Sequence, residues 1–158
     1  AEDEASFLAN ALGKARALYG IAHQPVIGDD SGLCVAALGG EPGVRSSRYG
    51  SDGERKLETP ERNALLLSRL AGVADRRAFF VCCLVLVVDG ERFVAVQETV
   101  HGVIADAPRG ANGFGYDPLF LLPDRSLTIA ELPDAEKDFV SHRGRAARRL
   151  RVMMDGVT

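Results

Sequence analysis

The sequence predicts an α/β fold built on a mixed β-sheet, and three observations carry that prediction. Apolar residues recur at three- and four-residue spacing between Ser6 and Tyr19, the mark of an amphipathic helix. β-Branched and aromatic residues fill Phe79 to Val88, and Asp89-Gly90 comes next as a strong hairpin signal. A second helical pattern, Asp134 to Met154, has acid at its start and arginine near its end, as the helix dipole favours. Strands mixed with helices in this way imply layers of helix on sheet.

Taken in order along the chain, Phe7, Leu8, Ala11, Leu12, Ala15, Leu18 and Tyr19 form the apolar stripe of the first helix, with Ser6 as N-cap and Gly20 as its end. Pro25-Val26-Ile27-Gly28 reads as a short buried strand that delivers Asp29-Asp30-Ser31-Gly32 at its C-terminal end. Leu33 to Leu38 is apolar again, and Gly39-Gly40-Glu41-Pro42-Gly43 is a turn cluster. Thr59-Pro60 opens a helix expected over Pro60 to Ala71. Phe79 to Val88 and Arg92 to Val100 are the two arms of the hairpin, and Asp117 to Leu122 is a further short strand.

The chain has 158 residues, enough for one domain with a substantial core; 46% are hydrophobic and 26% charged, which places it with globular proteins. With 22 acidic against 19 basic residues, the net charge of −3 argues against a nucleic-acid polymer as partner. Cys34, Cys82 and Cys83 lack metal-ligand spacing and read as buried reduced thiols, which leads to a cytoplasmic expectation. The longest apolar run, Ala78 to Val88, is too short to cross a bilayer as a helix.

Four segments carry candidate chemistry. Gly110 to Phe120 packs three glycines, three aromatic rings and Asp117 into eleven residues between ordinary elements. Phe114, held between Gly113 and Gly115, offers either a stacking face for a planar base or a ring that caps the core. Asp29 and Asp30 point to opposite sides if the strand stays extended, so they differ in role. One of them can bind Mg²⁺ or act as general base on water; the competing reading is a turn in which Asp30 or Ser31 caps the next segment. Lys14, among small neighbours in the first helix, reaches either a phosphate or solvent. Ser141-His142-Arg143-Gly144 interrupts the last helical pattern and can read the polar edge of a base or form a basic surface. Lys137 lies four residues before Ser141, on the same helix side. The glycine-rich segment lacks the spacing of a dinucleotide fingerprint, and neither a Walker-type loop nor a serine-hydrolase elbow is present.

Each signal is weak alone, but their order is specific. Asn10-Ala-Leu-Gly-Lys-Ala, Asp29-Asp-Ser-Gly-Leu, Gly39-Gly-Glu-Pro-Gly-Val with Ser47-Arg-Tyr, Gly113-Phe-Gly-Tyr-Asp-Pro-Leu-Phe, and Glu136-Lys with Ser141-His-Arg-Gly resemble the inosine triphosphate pyrophosphatase (Ham1-like) family. The likeness runs from about Glu2 to the final helix. It implies an elongated α/β fold with a substrate cleft between two lobes, assembled as a homodimer. It also implies Mg²⁺-dependent conversion of purine nucleoside triphosphates outside the standard set (ITP, dITP, XTP) to monophosphate and pyrophosphate.

By position, the resemblance makes Asp30 the general base and a metal-associated carboxylate, with Glu2 as second metal ligand. Lys14 would contact the triphosphate, beside Ser31. Phe114 would stack on the base, with Gly115, Tyr116 and Asp117 shaping its pocket. Lys137, Ser141, His142 and Arg143 would recognise the base and its 6-oxo group. The family's opening strand and Thr/Ser-x-Asn-x-x-Lys phosphate loop have no counterpart here, so the chain reads as a single, N-terminally incomplete domain over residues 1–158. That departure carries a second expectation, a nucleotide-binding domain without turnover.

Overall fold

A computed structural model of the chain describes residues 6–51 and 55–156. Glu2, expected as a metal ligand, lies outside the described residues.

The first helix, α1 (Phe7–Ala22), starts where Ser6 accepts a hydrogen bond on Oγ from the Ala9 amide at 3.1 Å. It runs past Gly20 and stops at His23, whose φ of 52° turns the chain left-handed two residues before Pro25. Strand β1 (Val26–Val35) is longer than its apolar start indicates, because Asp29-Asp30-Ser31-Gly32 stay in the ladder. Asp29 lies opposite Leu84, and Asp30 opposite Cys83. Two short 3₁₀ turns come next, and then α2 (Thr59–Arg69). Its cap is Glu58, paired with Glu61 in a reciprocal box, so Thr59 and Pro60 occupy the first helical positions.

The hairpin arms are β2 (Arg77–Val87) and β3 (Phe93–Ile104). β3 outlasts its expected end at Val100 because Val103 and Ile104 pair with Leu121 and Phe120 of β4 (Phe120–Leu122). Asp117 is not in that strand. Pro118 has no amide to give a ladder, and residues 114–119 instead form turns in which the Asp117 amide donates to the Phe114 carbonyl. A two-residue β5 (Leu127–Thr128) completes a sheet in the order β1-β2-β3-β4-β5. All four ladders are antiparallel, where the sequence leads to a mixed sheet. The segment between β1 and β2 returns the chain to the end it left, with Val35 opposite Ala78.

The long C-terminal helix is two helices, α3 (Asp134–Val140) and α4 (His142–Met154). Ser141 is extended (φ −65°, ψ 152°) and caps α4 by accepting the Gly144 amide at 3.0 Å. A side chain at Gly144 would collide with the Asp138 carbonyl oxygen, so the junction closes only on glycine.

Alternation along β2 decides which helix covers which face. Cys83, Val85 and Val87 pack with Ala11 and Ala15 of α1. Cys82, Leu84 and Leu86 pack with Ala146 and Leu150 of α4. A larger core around Leu33, Leu66, Phe80, Ile104 and Phe120 fills the other end of the sheet. All three cysteines are buried and free, and no helix among the described residues is long and apolar enough to cross a membrane.

Candidate active site

The alternation that places the helices also separates the two carboxylates of β1. Asp30 lies on the α1 face, where Lys14 Nζ donates to its Oδ1 at 2.8 Å and Asn10 Nδ2 to its Oδ2 at 3.1 Å. Lys14 also donates to the Asp29 carbonyl at 3.2 Å. Asn10 and Lys14 are one helical turn apart, so both reach the same carboxylate. Asp29 faces the other way. Arg143 Nε of α4 donates to its Oδ2 at 2.9 Å, and Ser31 Oγ to its Oδ1 at 2.7 Å.

Phe114 borders a cleft, open to solvent, whose walls include Ser31, Ser46, Arg62, Tyr116, His142 and Arg143. Gly115 and Asp117 also border it. A second hollow, also bordered by Phe114, is lined by Lys137, Ser141 and Asp138, and shares His142 and Arg143 with the first. The Phe114 ring is 64% exposed, which rules out the core-cap reading. Two cations lie against it: Lys137 Nζ 5.3 Å and Arg143 Cζ 5.1 Å from the ring centre.

The turn that presents this ring is held by one buried carboxylate. Asp117 Oδ2 accepts both the Phe114 amide at 3.0 Å and Lys137 Nζ at 2.8 Å. Gly113, at φ +91°, leaves room for that pair, since a Cβ there would meet Asp117 Oδ2 and Lys137 Nζ. Asn63 of α2 donates through Nδ2 to the Gly115 carbonyl at 3.1 Å. Tyr116 points inward, with its hydroxyl on the Ser46 carbonyl at 3.0 Å, and burial raises its pKa well above the ordinary phenol value.

His142 is buried against Phe80, the rings 4.7 Å apart and 10° from parallel. Burial, and after it the Arg143 charge, pushes its pKa down to about 4. At neutral pH it is therefore an uncharged imidazole with one donor and one acceptor. Burial likewise moves the Cys82 thiol, 4.0 Å from Asp29 Oδ1, up to about 11, so it is no nucleophile.

Of the residues expected from sequence, Ser31, Phe114, Gly115, Tyr116, Asp117, Lys137, Ser141, His142 and Arg143 share two adjoining hollows. Lys14 and Asp30 border neither hollow; they form a separate pair on the α1 face of the same strand. Ser141 Oγ already serves as the α4 cap. Asn10, Asn63, Arg62 and the tether formed by Asp29 are additions from the structure. Asn10 is recoverable from its four-residue spacing to Lys14, and Asn63 as a polar residue three positions before the fully buried Leu66. No sequence pattern announces the contact of Asp29 with a residue 114 positions away.

Among the described residues, no group of three His, Cys, Asp or Glu could hold a metal ion. Asp30 by itself offers hard carboxylate oxygen, the donor type Mg²⁺ combines with substrate phosphates.

The Ham1 family model matches residues 1–153. A dITP/XTP pyrophosphatase from Treponema denticola is 50% identical over 146 residues, covering 92% of this chain and 75% of that protein. Another, from Aromatoleum aromaticum, is 52% identical over 151 residues, covering 94% and 75%. Among solved structures, the Staphylococcus aureus Ham1 protein superimposes with a TM-score of 0.91 at 37% identity, covering all of this chain and 81% of that one. A HAM1 protein from Coxiella burnetii gives 0.92 at 38% identity, covering 99% and 80%.

Proposed function

Because the chain belongs to the Ham1 family, we propose that it hydrolyses purine nucleoside triphosphates outside the standard set (ITP, dITP and XTP) to the monophosphate and pyrophosphate. One observation carries this beyond the relatives' names. Ser31 borders the cleft of Phe114 and Arg143, while the preceding residue of β1, Asp30, pairs with Lys14 on the opposite face. A single strand thus joins a base platform to a carboxylate–cation pair suited to phosphate chemistry.

In this reading the base stacks on Phe114, an arrangement worth about 1–3 kcal/mol. Arg143 and Lys137 offer permanent donors toward a 6-oxo acceptor, and neutral His142 supplies one donor more. Adenine presents a 6-amino donor there, leaving those donors unpaired, which costs binding. Lys14 moves from Asp30 to the triphosphate as a point charge. Asp30, released, takes the proton of the attacking water; the new bond forms between water oxygen and the α-phosphorus, and the bond to the β-phosphate oxygen breaks to release pyrophosphate. Asp30 would be the residue here to hold Mg²⁺, which when bound would neutralise phosphate charge.

Incubation with ITP, XTP and ATP in the presence of Mg²⁺, with separate assays for pyrophosphate and orthophosphate, tests the reading. ITP and XTP should release pyrophosphate well ahead of ATP. Orthophosphate as product, or equal consumption of ATP, contradicts it.

A further inference from the structure

Asp29 is the acidic residue of the site that the proposed chemistry leaves without a task. Its two oxygens are both engaged, Oδ1 by Ser31 Oγ at 2.7 Å and Oδ2 by Arg143 Nε at 2.9 Å. Its carbonyl accepts Lys14. A carboxylate fixed at both oxygens is a poor proton acceptor and a good anchor. It anchors the guanidinium 5.1 Å from the centre of the exposed Phe114 ring.

The tether uses Nε alone. Among the described residues, neither Nη1 nor Nη2 of Arg143 donates a hydrogen bond, so the fork that matches a carbonyl acceptor stays available to a ligand. Apart from Asp29, the Arg143 side chain touches the exposed ring of Phe114, and it is itself 43% exposed. An exposed arginine loses considerable rotamer freedom on ordering. If Asp29 orders it beforehand, that cost does not fall on ligand binding.

Resting on the pyrophosphatase reading above, we infer that Asp29 is the positioning residue for base selection: it aims Arg143 at the 6-oxo group of a purine stacked on Phe114. Asp30 and Asp29 thereby divide the work of one dipeptide between the two faces of β1. The arrangement selects a 6-oxo purine against a 6-amino purine. It does not separate hypoxanthine from guanine, which carries the same 6-oxo acceptor, so any rejection of guanine comes from contacts to the 2-position.

Calorimetric binding of inosine and adenosine monophosphates tests this without turnover, so loss of hydrolysis and loss of selection are read separately. The wild type should bind the inosine nucleotide more tightly. Asp29→Asn, with folding checked by its thermal midpoint, should lower that preference about tenfold, the scale of a charge-assisted hydrogen bond at a half-exposed site. In the Arg143→Gln background the same substitution should change the preference less than about twofold, because the tether has nothing left to aim. Two results overturn the inference: a preference unchanged in Asp29→Asn, or a loss of equal size with and without Arg143. A wild type that binds both nucleotides alike overturns it too. Should Asp29→Asn fail to fold, Ser31→Ala, which frees the other oxygen of the same carboxylate, should weaken the preference in the same direction, and an unweakened preference would overturn the inference.

Discussion

Phe114 keeps most of its ring in solvent while Asp117 fixes the backbone beneath it. An exposed ring contributes little to folding, so its substitution separates binding from stability. Phe114→Ala should raise KM for ITP roughly fivefold to a hundredfold, from about 1–3 kcal/mol of lost stacking, and leave the thermal midpoint within a degree or two. A steady-state assay beside a melting curve checks both. His142 is the opposite case. Its folded pKa, about 4, lies below the ordinary 6.5, so the unfolded chain binds a proton that the folded one refuses. The associated stability is complete above pH 6.5 and is lost as pH falls toward 4, a contribution on the order of 3 kcal/mol. Denaturant titrations across that window should show the loss, and His142→Gln should flatten it. An equal slope in both proteins would contradict the burial argument.

At the scale of elements, the junction of α3 and α4 positions the residues proposed to read the base. Lys137 comes from the first helix, and His142 and Arg143 open the second. Gly144 lets the two close, because a methyl group there would meet backbone rather than a flexible side chain. Gly144→Ala should therefore cost roughly 1–3 kcal/mol in urea unfolding and weaken ITP binding as well. A neutral or stabilising substitution, as expected for an uninterrupted helix, would contradict the break. The sequence shows the reason for the break without its consequence. Ser141-His142-Arg143-Gly144 is visible as an interruption, yet acid-to-base polarity from Asp134 to Arg151 favours one helix. Similarly, the apolar run from Val26 is legible, whereas the continuation of β1 through two aspartates depends on pairing with Leu84 and Cys83 across the sheet. The hairpin is read correctly because its signal is local. β5 and the end of β3 depend on each other through β4, and such short pairings leave no periodic trace.

For the whole molecule, the cleft lies where two kinds of packing meet. α1 and α4 cover opposite faces at one end of the sheet, and a core around Leu66 and Phe120 fills the other. β1 passes between them, carrying Asp30 toward α1 and Asp29 toward α4. That is why residues separated by more than a hundred positions meet around one strand, and why their order in the sequence is readable while their contacts are not. In the proposed reaction Asp30 activates water at the α-phosphorus of a 6-oxo purine triphosphate. The most direct test is pyrophosphate release from ITP by the wild type and by Asp30→Asn, at matched Mg²⁺, with inosine monophosphate binding measured on both. In Asp30→Asn, kcat should fall about 10²–10⁴-fold with monophosphate binding retained. Turnover by Asp30→Asn at the wild-type rate would contradict it.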